Sequence, residues 1–275
     1  MPLRITTLVE NSEGEDLSLE HEHGISFFIE KDDKTILFDT GQSSAFIRNA
    51  EKLGADLSAL DFTVLSHGHY DHTGGFPALI GISRSFELLV KEEIFIEKYS
   101  YKNGKYSFKG NPFDLDFLRC NNIASRFIEE DCTEVLPGVY LITNFPRIFP
   151  DEVVGEHFVV LENGEYRQDN FEDEVMTAID TPKGVVLLPG CSHPGPRNMI
   201  EHAKNQLKRP VYAILGGTHL KEAGKKRTAE TADYLLTEVE GPIGVSHCTG
   251  ERAMAQLREK TPRFFHNTTG SIFEV

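Results

Sequence analysis

Four side chains able to hold a metal ion, His67, His69, Asp71 and His72, stand within one six-residue stretch. They directly follow the apolar run Phe62-Thr63-Val64-Leu65 and precede Thr73-Gly74-Gly75. No other feature constrains the chain as much. In an extended segment, side chains two apart point the same way, so His67 and His69 can grip one ion. A turn into a helix at Asp71 sends Asp71 and His72 elsewhere, where they can grip a second. Gly68 relieves crowding in the turn. Imidazole together with carboxylate suits zinc, iron or manganese. The bland alternative is a His-rich surface turn. With 11 His in 275 residues, three in six beside an aspartate at strand-to-helix spacing is a poor fit to chance.

The flanking pattern is mixed. Short β-rich runs predict strands over 3–9, 25–30 and 35–38, with the polar turn Lys31-Asp32-Asp33-Lys34 between the last two. Helical spacing over 43–53 ends at Gly54. Further strands are expected at 62–65, 87–90, 139–143, 157–162, 176–180 and 185–188, with a hairpin turn at Glu162-Asn163-Gly164-Glu165. The last third alternates: helices over 197–208, 227–239 and 252–260, and strands over 211–215, 243–246 and 263–266. Residues from about 92 to 131 follow no clear period and read as an insertion or lid. The length of 275 residues is ample for one core. The whole chain, 1–275, is read as a single layered α/β domain with helices outside packed sheets.

A net charge of −15, spread along the chain, repels nucleic acid and anionic membrane surfaces. An anionic substrate would need local cations to hold it. No stretch approaches ~20 apolar residues, and the N-terminus lacks the apolar core of a signal peptide. Cys120, Cys132, Cys191 and Cys248 form no CxxC pair. The expectation is therefore a reducing, cytoplasmic setting with thiols, a small-molecule substrate, no nucleic-acid or membrane partner, and an open question of homo-oligomerisation.

The string His67-Gly68-His69-Tyr70-Asp71-His72 resembles the HxHxDH signature of the metallo-β-lactamase superfamily. Ile36-Leu37-Phe38-Asp39-Thr40-Gly41 is similar to its upstream strand-Asp-Thr-Gly element. Gly190-Cys191-Ser192-His193 and Ser246-His247-Cys248-Thr249-Gly250 sit at strand ends, like its later ligand motifs. Together with Gly216-Gly217-Thr218-His219-Leu220, these strings resemble one branch, named for a pterin-methyl-ribofuranosylaminobenzene-phosphate synthase of methanopterin biosynthesis. The resemblance runs from about residue 25 to 250. It implies a four-layer αββα sandwich and two divalent ions, zinc first, with iron or manganese as alternatives.

Residue by residue, the resemblance implies that His67 and His69 hold one ion and Asp71 and His72 the other, with His193 and His247 completing the sets. Cys191 stands where many members carry a bridging Asp, and is either a thiolate ligand or a small buried residue. Asp39 is expected to accept the ring N–H of a ligand histidine, with helix capping as the alternative. Asp71 and His219 are the candidate catalytic groups, a plain strand-end histidine being the alternative for His219. Arg147, His23 and Asp173 are candidates for contacting substrate, although acidic runs such as that around Asp173 are usually solvated. His157, His202 and His266 read as structural or exposed.

The first functional reading is metal-assisted hydrolysis of a small anionic, phosphate-containing substrate. A metal brings the pKa of bound water to ~7, and paired ions ~3.5–4 Å apart share the hydroxide. The second is a transferase that couples a pterin-methyl diphosphate to an aminobenzene ribofuranosyl phosphate. A third, from another class, is a non-catalytic metal sensor, against which the full ligand complement argues. An oxygen-reducing di-iron role is disfavoured, since that branch would want Glu where this chain has His69.

Overall fold

The computed structural model of the protein describes residues 3–275. The chain forms two compact units. The first takes residues up to Ile128, Gly155–Asp173 and Thr268–Val275; the second takes Glu129–Val154 and Glu174–Asn267. Among the described residues, no helix is long and apolar enough to cross a membrane.

In chain order the first unit begins with β1 (Arg4–Val9), β2 (Ser26–Lys31), β3 (Lys34–Phe38), α1 (Ala45–Leu53), β4 (Phe62–Val64), α2 (Tyr70–Thr73), α3 (Phe76–Leu79) and β5 (Glu87–Val90). The turn between β2 and β3 pairs Lys31 with Lys34 and places Asp32 at a φ of 56°, as a tight hairpin demands. The segment read as patternless then supplies β6 (Glu97–Lys102), β7 (Lys105–Phe108), α4 (Leu115–Cys120) and β8 (Ala124–Phe127). The second unit opens with β9 (Cys132–Leu136) and β10 (Val139–Ile142). The chain returns to the first unit for β11 (Phe158–Glu162) and β12 (Glu165–Gln168). It then completes the second with β13 (Met176–Thr181), β14 (Gly184–Leu188), α5 (Pro196–Leu207), β15 (Val211–Gly217), α6 (Lys225–Glu238), β16 (Ile243–Ser246) and α7 (Glu251–Lys260). The last strand, β17 (Ile272–Glu274), belongs to the first unit.

The first unit carries a seven-stranded sheet, β17-β1-β2-β3-β4-β5-β8, and a four-stranded one, β12-β11-β6-β7. In the larger sheet β3, β4, β5 and β8 run parallel. Leu37, Phe46, Leu65, Phe76 and Leu88 are buried in one apolar cluster of this unit. The second unit is a six-stranded sheet, β16-β15-β14-β13-β10-β9, with β14, β15 and β16 parallel. Met199, Ile200, Leu235 and Leu257 of its helices are buried with Leu187, Ile214 and Val245 of its strands.

Two local expectations need correction. Residues 263–266 do not form a strand; Phe264 makes only an isolated bridge to Ile243. The terminal strand lies later, where Phe273 pairs with Ile5. Residues 97–102 and 105–108 are strands despite their weak pattern. Tyr101, Tyr106, Phe108 and Tyr166 of the four-stranded sheet are exposed, so the polar–apolar alternation that marks a half-buried strand is missing there.

Candidate metal centre

Each unit places its candidate ligands where parallel strands end. In open sheets with parallel strands, that end is where loops converge and ligands bind. In the first unit Asp39 follows β3 and the Ser66–His72 string follows β4. Asp39 has a φ of 57°, in the left-handed region that L side chains avoid. Its carboxylate repays that strain with three short contacts. Oδ1 accepts the Ser66 N–H at 2.7 Å, and Oδ2 accepts the Ser66 hydroxyl at 2.7 Å and faces His72 Nδ1 at 2.6 Å. Asp39 is fully buried, so these partners replace the water it lost.

The contacts fix tautomers. A carboxylate partner makes His72 Nδ1 the donor. The single hydroxyl proton of Ser66 goes to Asp39, so at 3.0 Å its oxygen accepts from His67 Nδ1. His67 is thus left with its lone pair on Nε2. That atom lies 3.1 Å from His69 Nδ1. Two nitrogens each bound to a tetrahedral zinc ion stand about 3.3 Å apart, so the spacing fits a shared cation. Burial first, then the neighbouring His72 and His69, push the His67 pKa well below the usual imidazole range, which keeps the ring neutral as a ligand must be. Burial also works against charge on His72, but Asp39 and Asp71 outweigh it and raise its pKa.

Asp71 is buried, with Oδ2 3.2 Å from His23 Nε2 and 3.7 Å from His72 Nε2. The structure thus brings His23, exposed on its own loop, onto Asp71. The helix expected to start at Asp71 begins one residue earlier, at Tyr70, and is held by the Tyr70 N–H on the Lys109 carbonyl at 2.9 Å. Asp173 is not solvated, as acidic runs usually are. It is 1% exposed and accepts the Gly68 N–H at 2.6 Å, with Lys98 3.0 Å from its other oxygen.

The second unit repeats the design. His193 follows β14, His219 follows β15 and His247 follows β16. Ser192, His219 and His247 have φ values of 61°, 47° and 54°. Left-handed backbone at three successive strand ends is strain of the kind that collects at functional sites. Elsewhere that conformation falls mostly on Asn and Asp in turns, such as Asn103, Asn163 and Asp32. The loops are cross-braced: Glu174 accepts the Ser192 N–H at 2.9 Å, and the Ser192 hydroxyl donates to the Gly217 carbonyl at 2.6 Å. His219 donates its N–H to Cys248 Sγ at 3.2 Å, and Cys248 donates to the Cys191 carbonyl at 3.3 Å. The rings of His193 and His219 lie 4.3 Å apart. Donor atoms of Cys191, His247 and Cys248 lie within 4.8 Å of one another, so a thiolate ligand at Cys191 has the reach it needs. Burial raises the Cys248 thiol pKa, but a bond with the Cys191 side chain, the His247 ring and the His219 N–H together bring it below the ordinary value. Arg147 is exposed, with Nη1 3.5 Å from the His193 carbonyl.

Sequence reasoning missed Ser66, Lys98, Asp169, Phe171, Glu174 and Cys248. Ser66 and Cys248 sit inside the quoted motifs and were legible by position. The others are set by contacts between residues 18 to 105 positions apart.

A sequence profile described as the metallo-beta-lactamase superfamily matches residues 22–167. The chain is 31% identical to the 7,8-dihydropterin-6-methyl-4-(beta-D-ribofuranosyl)-aminobenzene-5'-phosphate synthase of Methanocaldococcus jannaschii, over 94% of this chain and 91% of that one. It is 28% identical to an uncharacterized protein of the same organism, covering 92% and 94% of the two chains. A crystal structure described as a metal-dependent hydrolase of the beta-lactamase superfamily matches with a TM-score of 0.86 at 29% identity, covering 99% of each chain. The α/β architecture is therefore of the metallo-β-lactamase type, as the motifs implied. Likeness of that extent, joined to a profile that spans the whole His67–His72 string, places this chain in the metallo-beta-lactamase superfamily, on the branch similar to the synthase.

Proposed function

We propose that the protein is a metal-dependent transferase that joins a pterin-methyl group, carried as its diphosphate, to the amine of an aminobenzene ribofuranosyl phosphate. The observation behind this reading is the 31% identity to the synthase over nearly the full length of both chains. It reverses the order in which the sequence alone ranked hydrolysis and transfer.

The ions, two in number and zinc before iron or manganese, are assigned to His67, His69, Asp71, His72, His193 and His247, with Cys191 as a further thiolate candidate. The convergence of His67 Nε2 and His69 Nδ1 at 3.1 Å supports the first pair. Divalent cations held there would supply positive charge to the departing diphosphate. In the transfer the methylene C–O bond breaks, the diphosphate leaves with its electron pair, and a C–N bond forms to the amine, which sheds a proton. His219, only half-buried, is assigned to take up that proton. Asp71 is assigned to orient the amine by accepting one of its N–H bonds. Exposed Arg147 and His23 are assigned to anionic substrate groups. Residues 92–131 are assigned to ring selection: a groove of about 540 Å³ there is walled by Phe95, Tyr99, Phe108, Phe113 and Phe117, with Glu97, Asn111 and Asp114 among them.

Hydrolysis is the second reading, favoured by the likeness to a structure described as a metal-dependent hydrolase. One assay separates the two. Metal-loaded protein is given a pterin-methyl diphosphate with and without the aromatic amine. Coupled product that needs the amine, with little diphosphate released in its absence, is the expected result. Equal diphosphate release with and without amine, and no coupled product, would replace transfer by hydrolysis.

A further inference from the structure

Gly68 lies between two candidate ligands, and its peptide sets how far apart they stand. Its N–H is held by Asp173 Oδ2 at 2.6 Å. A Cβ at this position would meet the Ile94 carbonyl oxygen at 2.6 Å, Lys98 Cε at 3.2 Å and Asp173 Oδ2 at 3.3 Å, so the loop is packed directly against this cluster. Asp173 Oδ1 lies 3.0 Å from Lys98 Nζ, and the same ammonium lies 2.8 Å from Asp169 Oδ2. The remaining oxygen, Asp169 Oδ1, accepts the Phe171 N–H at 2.7 Å. That bond closes a tight turn in which Phe171 adopts a φ of 53°, a conformation rarely open to an aromatic residue. The strained ring is used twice: it stands edge-on to His69, centroids 5.3 Å apart at 86°, and lies 4.7 Å from the Lys98 ammonium.

We infer that Lys98 and the turn from Asp169 to Asp173 form a positioning device that sets the spacing of His67 and His69. The reasoning is electrostatic and steric. Lys98, Asp169 and Asp173 are each at most 3% exposed, so none is placed to meet a substrate. Buried charges persist only when paired and hydrogen-bonded, and here almost every bond serves to hold Asp173 still. Asp173 in turn holds the first of the two peptides that link the histidines through Gly68, while Phe171 closes the side of His69. A binding site held in its loaded geometry has less to order when the ion arrives.

The inference rests on the reading of His67 and His69 as ligands. The full-length protein is stripped and titrated with cobalt(II), affinity being read by chelator competition and geometry by the visible absorption bands. Lys98→Met and Asp173→Asn are each expected to bind cobalt roughly 10–100-fold more weakly and with altered bands, as loss of groups that orient ligands does elsewhere. Lys98→Arg, which keeps the cation, is expected to restore most of the affinity. If Lys98→Met fails to fold, Asp173→Asn decides, since it preserves side-chain shape while replacing the charge and one acceptor oxygen by an amide donor. Folded variants with wild-type cobalt affinity and bands, even with lowered unfolding midpoints, would overturn the inference and leave the cluster purely structural. His67→Ala keeps the two failures apart. If it leaves cobalt affinity unchanged, the ligand reading itself is wrong. If it abolishes binding while Lys98→Met and Asp173→Asn retain it, only the positioning role is lost.

Discussion

Asp39 shows how one side chain can organise a site. Its two oxygens take three contacts from Ser66 and His72, all at 2.6–2.7 Å and fully buried. Asp39→Ala would strand two buried donors and a ring nitrogen. Each buried group left unsatisfied costs about 1–3 kcal/mol, so the metal-free protein is expected to lose about 3 kcal/mol or more in urea unfolding. A loss below about 1 kcal/mol would show that water replaces the carboxylate without difficulty. The partnership with a ligand-type histidine was readable from the chain, because Asp39 and the His cluster both end short apolar runs. Its left-handed φ of 57° was not, nor were those of Ser192, His219 and His247. Local preference argues against such conformations, and only surrounding contacts make them affordable.

Among elements, the loop before β11 is tied to α5 by buried polar groups. Asn198 Oδ1 accepts the Ile148 and Phe149 N–H groups at 2.8 and 2.9 Å, and its amide donates to the Pro194 carbonyl at 2.8 Å. Glu152 accepts from Arg197 Nε at 3.2 Å and from the Asn198 N–H at 3.0 Å. Its carboxylate oxygen lies 2.2 Å from where a Cβ on Gly195 would stand, and Gly195 has a φ of 101°, so glycine is needed there twice over. Asn198→Ala is expected to free amides 148 and 149 to exchange at least tenfold faster and to cost about 2 kcal/mol. Unchanged exchange at both amides would mean the loop is held elsewhere. Helix α5 itself was legible to within a residue at each end, read over 197–208 and found over Pro196–Leu207. In the four-stranded sheet the β11–β12 hairpin was legible from its turn, but β6 and β7 were not. β6 pairs with β11 about 60 positions away, as Tyr99 with Val159, and the exposed aromatics erase the alternating pattern.

At the scale of the molecule, the chain visits the first unit three times and the second twice. Metal should stabilise the folded protein by mass action if its ligands belong to folded loops. At free metal 100-fold above Kd the gain is about 2.7 kcal/mol. Chelator-stripped protein is therefore expected to unfold at a lower midpoint than metal-loaded protein, and readdition of cobalt(II) should restore it. Identical midpoints would argue against a metal site coupled to folding. The sequence alone determined the donor types, their strand-end placement and the α/β alternation, since each follows from short-range periodicity and from motifs a few residues long. Tertiary structure decided which carboxylate meets which N–H. Asp39 reaches Ser66 across 27 positions, Lys98 reaches Asp169 across 71, and Asp173 reaches Gly68 across 105. No local propensity encodes such pairs. They exist because sheets bring distant strand ends together, and because a buried charge must find a partner there or not be buried at all.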